Sequence, residues 1–382
     1  MSERSQAVDR FRRFAQQDPL DTFEGALAIA ELIEPGTDLP LARSRISEIG
    51  SRVRSRIRAG DAPSEALQRV LFAEEGFAGD TVSYDDPANS SVAHVLQTRR
   101  GMPITLSVVT VEAGRQAGLN LEGVGLPGHF VVGGRDLPSG MYLDPFDGGA
   151  LRDTQALTER VSKIIGTEIE LPNEAFAPDS PRAILMRILL NLRRSYEVRD
   201  RFEEAMAALD CANALDPDEI SFSRERGLLL LRIGRPEEAL EELEAYVSQA
   251  SGEDAEAVGK LVTIVQEGMA GPGPPMLVTQ PSEKKIFTLE QAREVLPQVQ
   301  ETTSQAFLRY TRLGAGEESE QERQGIVRDW VRSVSSLGAE IKGLWLVDFD
   351  SGAGYYCWRY PESNLEYFHG YEEGFGGRLP LQ

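Results

Sequence analysis

Apolar residues recur at helical spacing up to about residue 80. In "DTFEGALAIAELIE", Phe23, Ala26, Leu27, Ala30 and Ile33 form one stripe, and Asp21 ahead of them has the short carboxylate that suits a helix N-cap. In "RSRISEIGSRVRSRIR", Ile46, Ile49, Val53 and Ile57 share a face while six arginines take the remaining ones. Those arginines read either as a solvated helix surface or as a face that docks a partner.

From "DTVSYDDPANSS" onward the pattern changes. One helix, "PITLSVVTVEAGRQAG", is closed by Gly118, and two short β-rich runs follow, "HFVVGG" and "MYLDPF". A hairpin of these runs about a turn near Leu137 brings residue 129 close to residues 144 and 145, which sets Asp144 beside His129.

Residues 183–267 carry an internal repeat. With Pro217 closing one unit of about 34 residues, Tyr196, Ala205, Leu209 and Ala212 fall on the recurrent positions of a tetratricopeptide helix pair. Gly227, Ala239 and Leu243 take the same places in the next unit. Two such repeats are too few to stand alone, so "EDAEAVGKLVTIVQEG" is expected to cap the stack and the first helix to lean on the preceding domain. Cys211, inside this pattern, reads as a small hydrophobe.

The Gly/Pro-rich text "GMAGPGPPMLVTQPSEKK" has no periodicity and marks a linker, residues 269–285. The last unit, 286–382, opens with "FTLEQAREVLPQVQETTSQAFLRY", where Thr288 and Gln291 are spaced as a capping box. A second helix through "IVRDWVRSVSSLGAEI" precedes the strand-like "LWLVDF" and "YYCWRY".

Composition narrows the classes. At 382 residues and 41% hydrophobic content the chain has material for two or three cores. No run nears the roughly 18 apolar residues of a membrane span, and the start, "MSERSQAVDRFRRFAQQ", is charged, so a cytoplasmic location and no membrane contact are expected. A net charge of −21 disfavours nucleic acid as a partner. The two cysteines, Cys211 and Cys357, lie far apart, with no zinc-type spacing around them. No cofactor and no metal ligands are assigned.

The run "GVGLPGHFVVGG" spells G-x-G-x-x-G through Gly123, Gly125 and Gly128. A dinucleotide fingerprint needs its glycines to open a helix whose free amides hold the pyrophosphate. Here strand-like text follows and Pro127 interrupts the loop, so the glycines are expected to make a tight turn that delivers His129 at the head of a strand. A His/Asp pair is the orienting half of a nucleophile–His–Asp triad. Its third member belongs at a helix N-terminus, and the candidate helix begins "RGMPITLS".

At these residues the chain resembles the bacterial SirB-type family, a branch of the transglutaminase-like, papain-related fold often followed by tetratricopeptide repeats. The likeness runs over about residues 15–270, through "FAGDTVSYDDPANSSVAHVLQTRRGMPITLSVVTVEAGRQAGL", "GVGLPGHFVV" and "LDPFDGG". Active transglutaminase-like enzymes place Cys at the start of the helix, His at the head of one strand and Asp on the next. The resemblance gives His129 and Asp144 the second and third roles. Counted back from Arg115 and Gly118, the cysteine position falls on Pro103, which suits a first helical turn and carries no nucleophile.

Four readings follow. His129 and Asp144 belong to a pseudoenzyme whose cleft binds a peptide or protein; or they serve a hydrolase or acyltransferase with Ser107 or Thr105 as nucleophile. Alternatively they bind a metal with His94 or Asp147, or His129 is a satisfied buried histidine holding the hairpin. Asn89 is expected in turn hydrogen bonds, and Arg99 and Arg100 in pairs with local carboxylates.

Residues 286–382 resemble a second bacterial family, of no assigned activity, through "FTLEQAREVLPQV", "KGLWLVDF", "YYCWRYPE" and "LEYFHGYEEGFGGRLPL". There Trp358, Arg359, His369 and Arg378, with Cys357 and Glu372, are either the lining of a small-molecule site or a packed β-rich core. Cys357 and His369 are also a candidate dyad. The expected whole is an α+β protein: a helical lobe with a papain/transglutaminase-like core (1–180), a short tetratricopeptide segment (181–268), the linker, and a small α+β domain (286–382). The leading functional reading is a protein- or peptide-binding adaptor.

Overall fold

Asp21 does cap the second helix, its Oδ1 accepting from the amides of Phe23 at 2.9 Å and Glu24 at 3.0 Å, and the stripe behind it buries Phe23, Ala26, Leu27 and Ala30. Such a cap contributes about 1 kcal/mol. The computed structural model describes residues 2–270, 285–312, 317–371 and 378–381. Most of the expected linker, residues 271–284, and Glu372 lie outside the described residues. Two compact units emerge, Met1–Thr158 with Glu170–Arg235, and Glu159–Ile169 with Pro236–Gln382.

The first unit starts with α1 (Glu3–Ala15), α2 (Thr22–Ile33), α3 (Leu39–Arg58) and α4 (Pro63–Leu67). Strand β1 (Ala78–Gly79) pairs in parallel with β2 (Arg100–Gly101), and α5 (Val92–Thr98) lies between them in sequence. Helix α6 (Pro103–Ala117) is buried on nearly every side. It packs on α3, whose Ile46, Ile49 and Val53 are enclosed, and against the sheet that follows. Gly118, at φ 91°, ends it in the left-handed conformation glycine tolerates.

The sheet is an antiparallel meander of β3 (Glu122–Leu126), β4 (His129–Gly133), β5 (Tyr142–Asp144) and β6 (Ala150–Arg152). Gly123 and Gly125 lie within β3, and Leu126 pairs directly with His129 across the two-residue turn Pro127–Gly128. Gly128 sits at φ 63°, where a side chain would be strained. The G-x-G-x-x-G run is therefore a β-hairpin. Helix α7 (Thr154–Ile165) follows, its residues from Glu159 on belonging to the second unit, and the first unit resumes with α8 (Pro181–Glu197), α9 (Phe202–Leu215) and α10 (Ser221–Arg232). Helix α8 packs on α2, and α9 on α1 and α8.

The arginines of α3 are mostly engaged within their own unit. Arg43 bonds Glu24 at 2.6 Å, Arg52 bonds Glu74 at 2.7 Å, Arg56 bonds Glu74 at 2.9 Å and Arg45 bonds both Glu48 and Glu75 at 3.0 Å. The exposed pairs, Arg43–Glu24 and Arg52–Glu74, are each worth under about 1 kcal/mol, whereas the Glu75 carboxylate is enclosed.

In the second unit, α11 (Pro236–Gln249) packs on α12 (Glu253–Ala270), and α13 (Leu289–Arg312) on α14 (Glu317–Ser335). Thr288 and Gln291 form the capping box at α13, with bonds of 3.0 and 3.2 Å. An antiparallel sheet orders β11 (Leu379–Pro380), β10 (Tyr367–His369), β9 (Tyr355–Arg359), β8 (Leu346–Asp350) and β7 (Glu340–Gly343). Alternation puts Val347, Phe349, Tyr356, Trp358 and Phe368 on one face and Asp348, Cys357 and His369 on the other.

Candidate functional site

The turn at Pro127–Gly128 sets His129 at the first position of β4, and the last residue of β5 is Asp144. Their side chains meet: His129 Nε2 lies 2.9 Å from Asp144 Oδ2, and the two residues are 2% and 0% exposed. The register differs by one residue from a hairpin centred on Leu137, since Val132 pairs with Leu143. That count puts Phe146 opposite His129 and makes Asp144 its diagonal neighbour on the same face. The eight residues between the strands, 134–141, have an even number, so no single residue is the centre.

Asp144 is anchored from several directions. Its Oδ1 accepts from the amide of Asp147 at 3.2 Å, starting the short 3-10 turn Pro145–Asp147, and Arg152 Nε stands 3.5 Å from Oδ2. The ring of Phe146 meets the imidazole edge-on at 6.2 Å between centroids, and Tyr84 meets Phe146 at 6.0 Å. Burial pushes the Tyr84 phenol up. From α8, Arg187 donates to the carbonyls of Leu126 at 2.6 Å and His129 at 3.1 Å, so it clamps both sides of the turn. Beside it, burial raises the Asp179 carboxyl and the Arg187 charge opposes that rise.

Pro103 opens α6, behind Met102, which makes no side-chain cap bond. Ser107 and Thr105 are both fully buried in that helix. The Ser107 hydroxyl donates to the Phe130 carbonyl at 3.5 Å, and Thr105 Oγ1 is enclosed with no hydrogen-bond partner. Neither bonds His129. With Nε2 committed to Asp144, the ring nitrogen a triad would use for its nucleophile is Nδ1, and no described side chain hydrogen-bonds it.

The other residues singled out have local duties. Asn89 donates to the carbonyl of Ser83 at 2.6 Å, Arg99 pairs with Glu75 at 3.0 Å, and Arg100 donates to the carbonyl of Gly76 at 2.7 Å. His94 lies on α5, its amide bonded to Ser91, and Asp147 pairs with Arg152. Among the described residues, the side chains spaced to hold a metal ion are Asp348, Cys357 and His369, a set without His129, Asp144, His94 or Asp147. Tyr196, Ala205, Leu209, Ala212, Ala239 and Leu243 are buried, as is Cys211, whose thiol burial pushes up.

In the second unit, Cys357, His369 and Arg378 come together: Arg378 Nε donates to Cys357 Sγ at 3.0 Å and forks onto Glu362 at 2.7 and 3.3 Å. Trp358 turns to the opposite face, and its indole N–H donates to the Glu362 carbonyl at 2.6 Å. Arg359 shares the Cys357 side of the strand and is half-buried. Asp348, which sequence reasoning missed, pairs with Cys357 across the strands and lies 3.2 Å from His369 Nε2. An acid flanked by Val347 and Phe349 in an apolar run was the available signal. Burial works to lower the His369 imidazole, and Asp348 overrides it, with help from Cys357 and the Gly370 carbonyl, pushing it up to about 10.

This is a transglutaminase-like core joined to tetratricopeptide helices. Residues 41–190 match the model of the transglutaminase-like superfamily, 192–263 that of the tetratricopeptide repeat, and 308–381 that of an uncharacterized conserved protein (DUF2203). The chain belongs to the UPF0162 protein family. It is 37% identical over 189 residues to the UPF0162 protein of Xylella fastidiosa, covering 48% of this chain and 66% of that one, just under two thirds. Against the UPF0162 protein of Pseudomonas aeruginosa it is 30% identical over 197 residues, 50% of this chain and 70% of the relative. The Vibrio cholerae relative is 26% identical over 247 residues, 62% of this chain and 89% of its own length. No solved structure matches.

Proposed function

We propose that the protein is a SirB-type member of its superfamily that acts as a non-catalytic, cytoplasmic adaptor for a protein or peptide. In this reading the chain divides at about residues 180, 268 and 285, and His129 and Asp144 are a retained remnant that stiffens the hairpin. The observation that supports it is Pro103 at the head of α6, where the resemblance places the nucleophile, together with two hydroxyls that both miss the imidazole. A general base must reach the proton it removes within about 3.2 Å or through one water. Tetratricopeptide helices as a class form concave surfaces that suit peptides, and residues 192–263 match the model of that repeat. Among the described residues no helix is long and apolar enough to cross a membrane.

The test is an acyl-directed electrophile such as a fluorophosphonate, followed by intact and peptide mass spectrometry. No adduct on Ser107 or Thr105 is expected. An adduct that forms in the wild type and not in His129→Gln would replace this reading with the hydrolase or acyltransferase one. Cross-linking of the full chain to a bound peptide is expected to map to residues 192–263; links confined elsewhere would remove the repeats from the binding role.

A further inference from the structure

We propose that Asp348, Cys357 and His369 form a binding site for a divalent ion of the zinc class, built on the polar face of the second unit's sheet. The three donor atoms lie within 4.8 Å of one another, and all three residues are buried. Tetrahedral coordination at about 2.0–2.3 Å separates its ligand atoms by roughly 3.3–3.8 Å, so the set needs to draw in by only about 1 Å. One thiolate and one carboxylate balance a 2+ charge, and the mixed S, N, O donors suit a borderline-soft ion better than magnesium or calcium.

The surroundings match those of ligands held ready. His369 Nδ1 lies 2.9 Å from the Gly370 carbonyl, the usual anchor for the nitrogen that does not face the ion, and it aims Nε2 at the cluster. Arg378 donates to Cys357 Sγ, and Glu362 neutralises its guanidinium. Asp348 is 1% exposed, yet its Oδ1 has no hydrogen-bond partner. A buried carboxylate oxygen left bare is costly, and an ion would satisfy it.

A Cys–His–Asp nucleophile fits the geometry less well. In a triad the acid and the nucleophile use different ring nitrogens. Here the Gly370 carbonyl takes Nδ1, which leaves Nε2 to face both Asp348 and Cys357, so acid and thiol have no separate ring nitrogens, and Cys357 is 0% exposed.

The experiment is a Co²⁺ titration of the full chain after chelator dialysis. One equivalent should bind, with a near-ultraviolet thiolate-to-cobalt charge-transfer band that Zn²⁺ abolishes by displacement. Cys357→Ser should lose the band, while His369→Gln and the near-isosteric Asp348→Asn should weaken binding ~tenfold or more. Cys211→Ser and His129→Gln should bind like the wild type. Circular dichroism checks each fold, and Asp348→Asn carries the test should Cys357→Ser unfold. No band in the wild type, a band that survives in Cys357→Ser or disappears in Cys211→Ser, or unchanged affinity in Asp348→Asn would overturn the site.

Discussion

His129 and Asp144 meet across a diagonal of their sheet, with Nε2 and Oδ2 2.9 Å apart in an enclosed setting. Had the strands slipped by one residue, the two side chains would have left on opposite faces. Breaking a buried pair strands the surviving partner, so His129→Ala and Asp144→Ala should each destabilise the first unit by about 3–5 kcal/mol. The double variant His129→Leu/Asp144→Leu should cost clearly less than the sum of the single leucine variants. A double-mutant cycle by urea denaturation checks this, and strict additivity would show that the pair is not coupled.

The same pair allows a direct test of the position that Pro103 occupies. A thiol at the first turn of α6 gains from the helix N-terminus, and if the His129 imidazole faces it the thiolate is favoured further. Pro103→Cys should therefore ionise at a pH below the ordinary thiol range of about 8.5, followed as thiolate ultraviolet absorbance against pH because position 103 is itself buried. The added substitution His129→Gln should move that profile upward. Cys211 and Cys357 are both buried and set the background. Identical pH profiles with and without His129 would mean that α6 does not present residue 103 to the imidazole.

Much of this site was written in local chemistry. Asp21 before an apolar stripe, Gly118 after one, and Pro127–Gly128 between two strand-like runs each act over a few residues, and each element is where that chemistry puts it. Arg187 was not legible, because it reaches the His129 carbonyl from 58 residues away, and nothing near either residue encodes that distance. Asp348 and His369 are separated by 21 residues and meet only once three strands have taken their register. Trp358 marks a nearer failure. Strand alternation already separates it from Cys357, so the grouping of Trp358 with His369 and Arg378 followed residue type where it should have followed period.

Arg187 is expected to hold the turn that carries His129. Its two carbonyl bonds are charge-assisted, and removing them costs about 1.5–3 kcal/mol. Arg187→Met keeps much of the aliphatic stem, so the loss should come from the guanidinium, which makes these bonds and also stands over the Phe130 ring at 5.5 Å from its centroid. The variant should also let the Asp179 carboxyl rise further, because burial would then act unopposed by that charge. Denaturation measures the first effect, and carboxyl carbon chemical shifts against pH measure the second. An unmoved Asp179 titration would mean that Arg187 does not face it in solution.

Glu75 gathers Arg45, Arg52 and Arg99 around one carboxylate, with Arg45 and Arg99 both at 3.0 Å, and its side chain is 6% exposed. Burial works to raise this carboxyl, yet the hydrogen bond from Arg52 and the charges of Arg45, Arg99 and Arg52 outweigh it, so the group ends below its ordinary value. A lowered folded pKa means that the unfolded chain takes up the proton first. The stabilisation is therefore fully present above the unfolded value of about 4.3 and disappears as pH falls through the folded one. Glu75→Gln cannot ionise and should be about 1–3 kcal/mol less stable at neutral pH, since it leaves charged donors without their acceptor. Urea midpoints of both proteins, taken from about pH 7 down to about pH 3, should converge on the acid side. A gap that stays constant across that range would show that the three arginines do not act through the charge of Glu75.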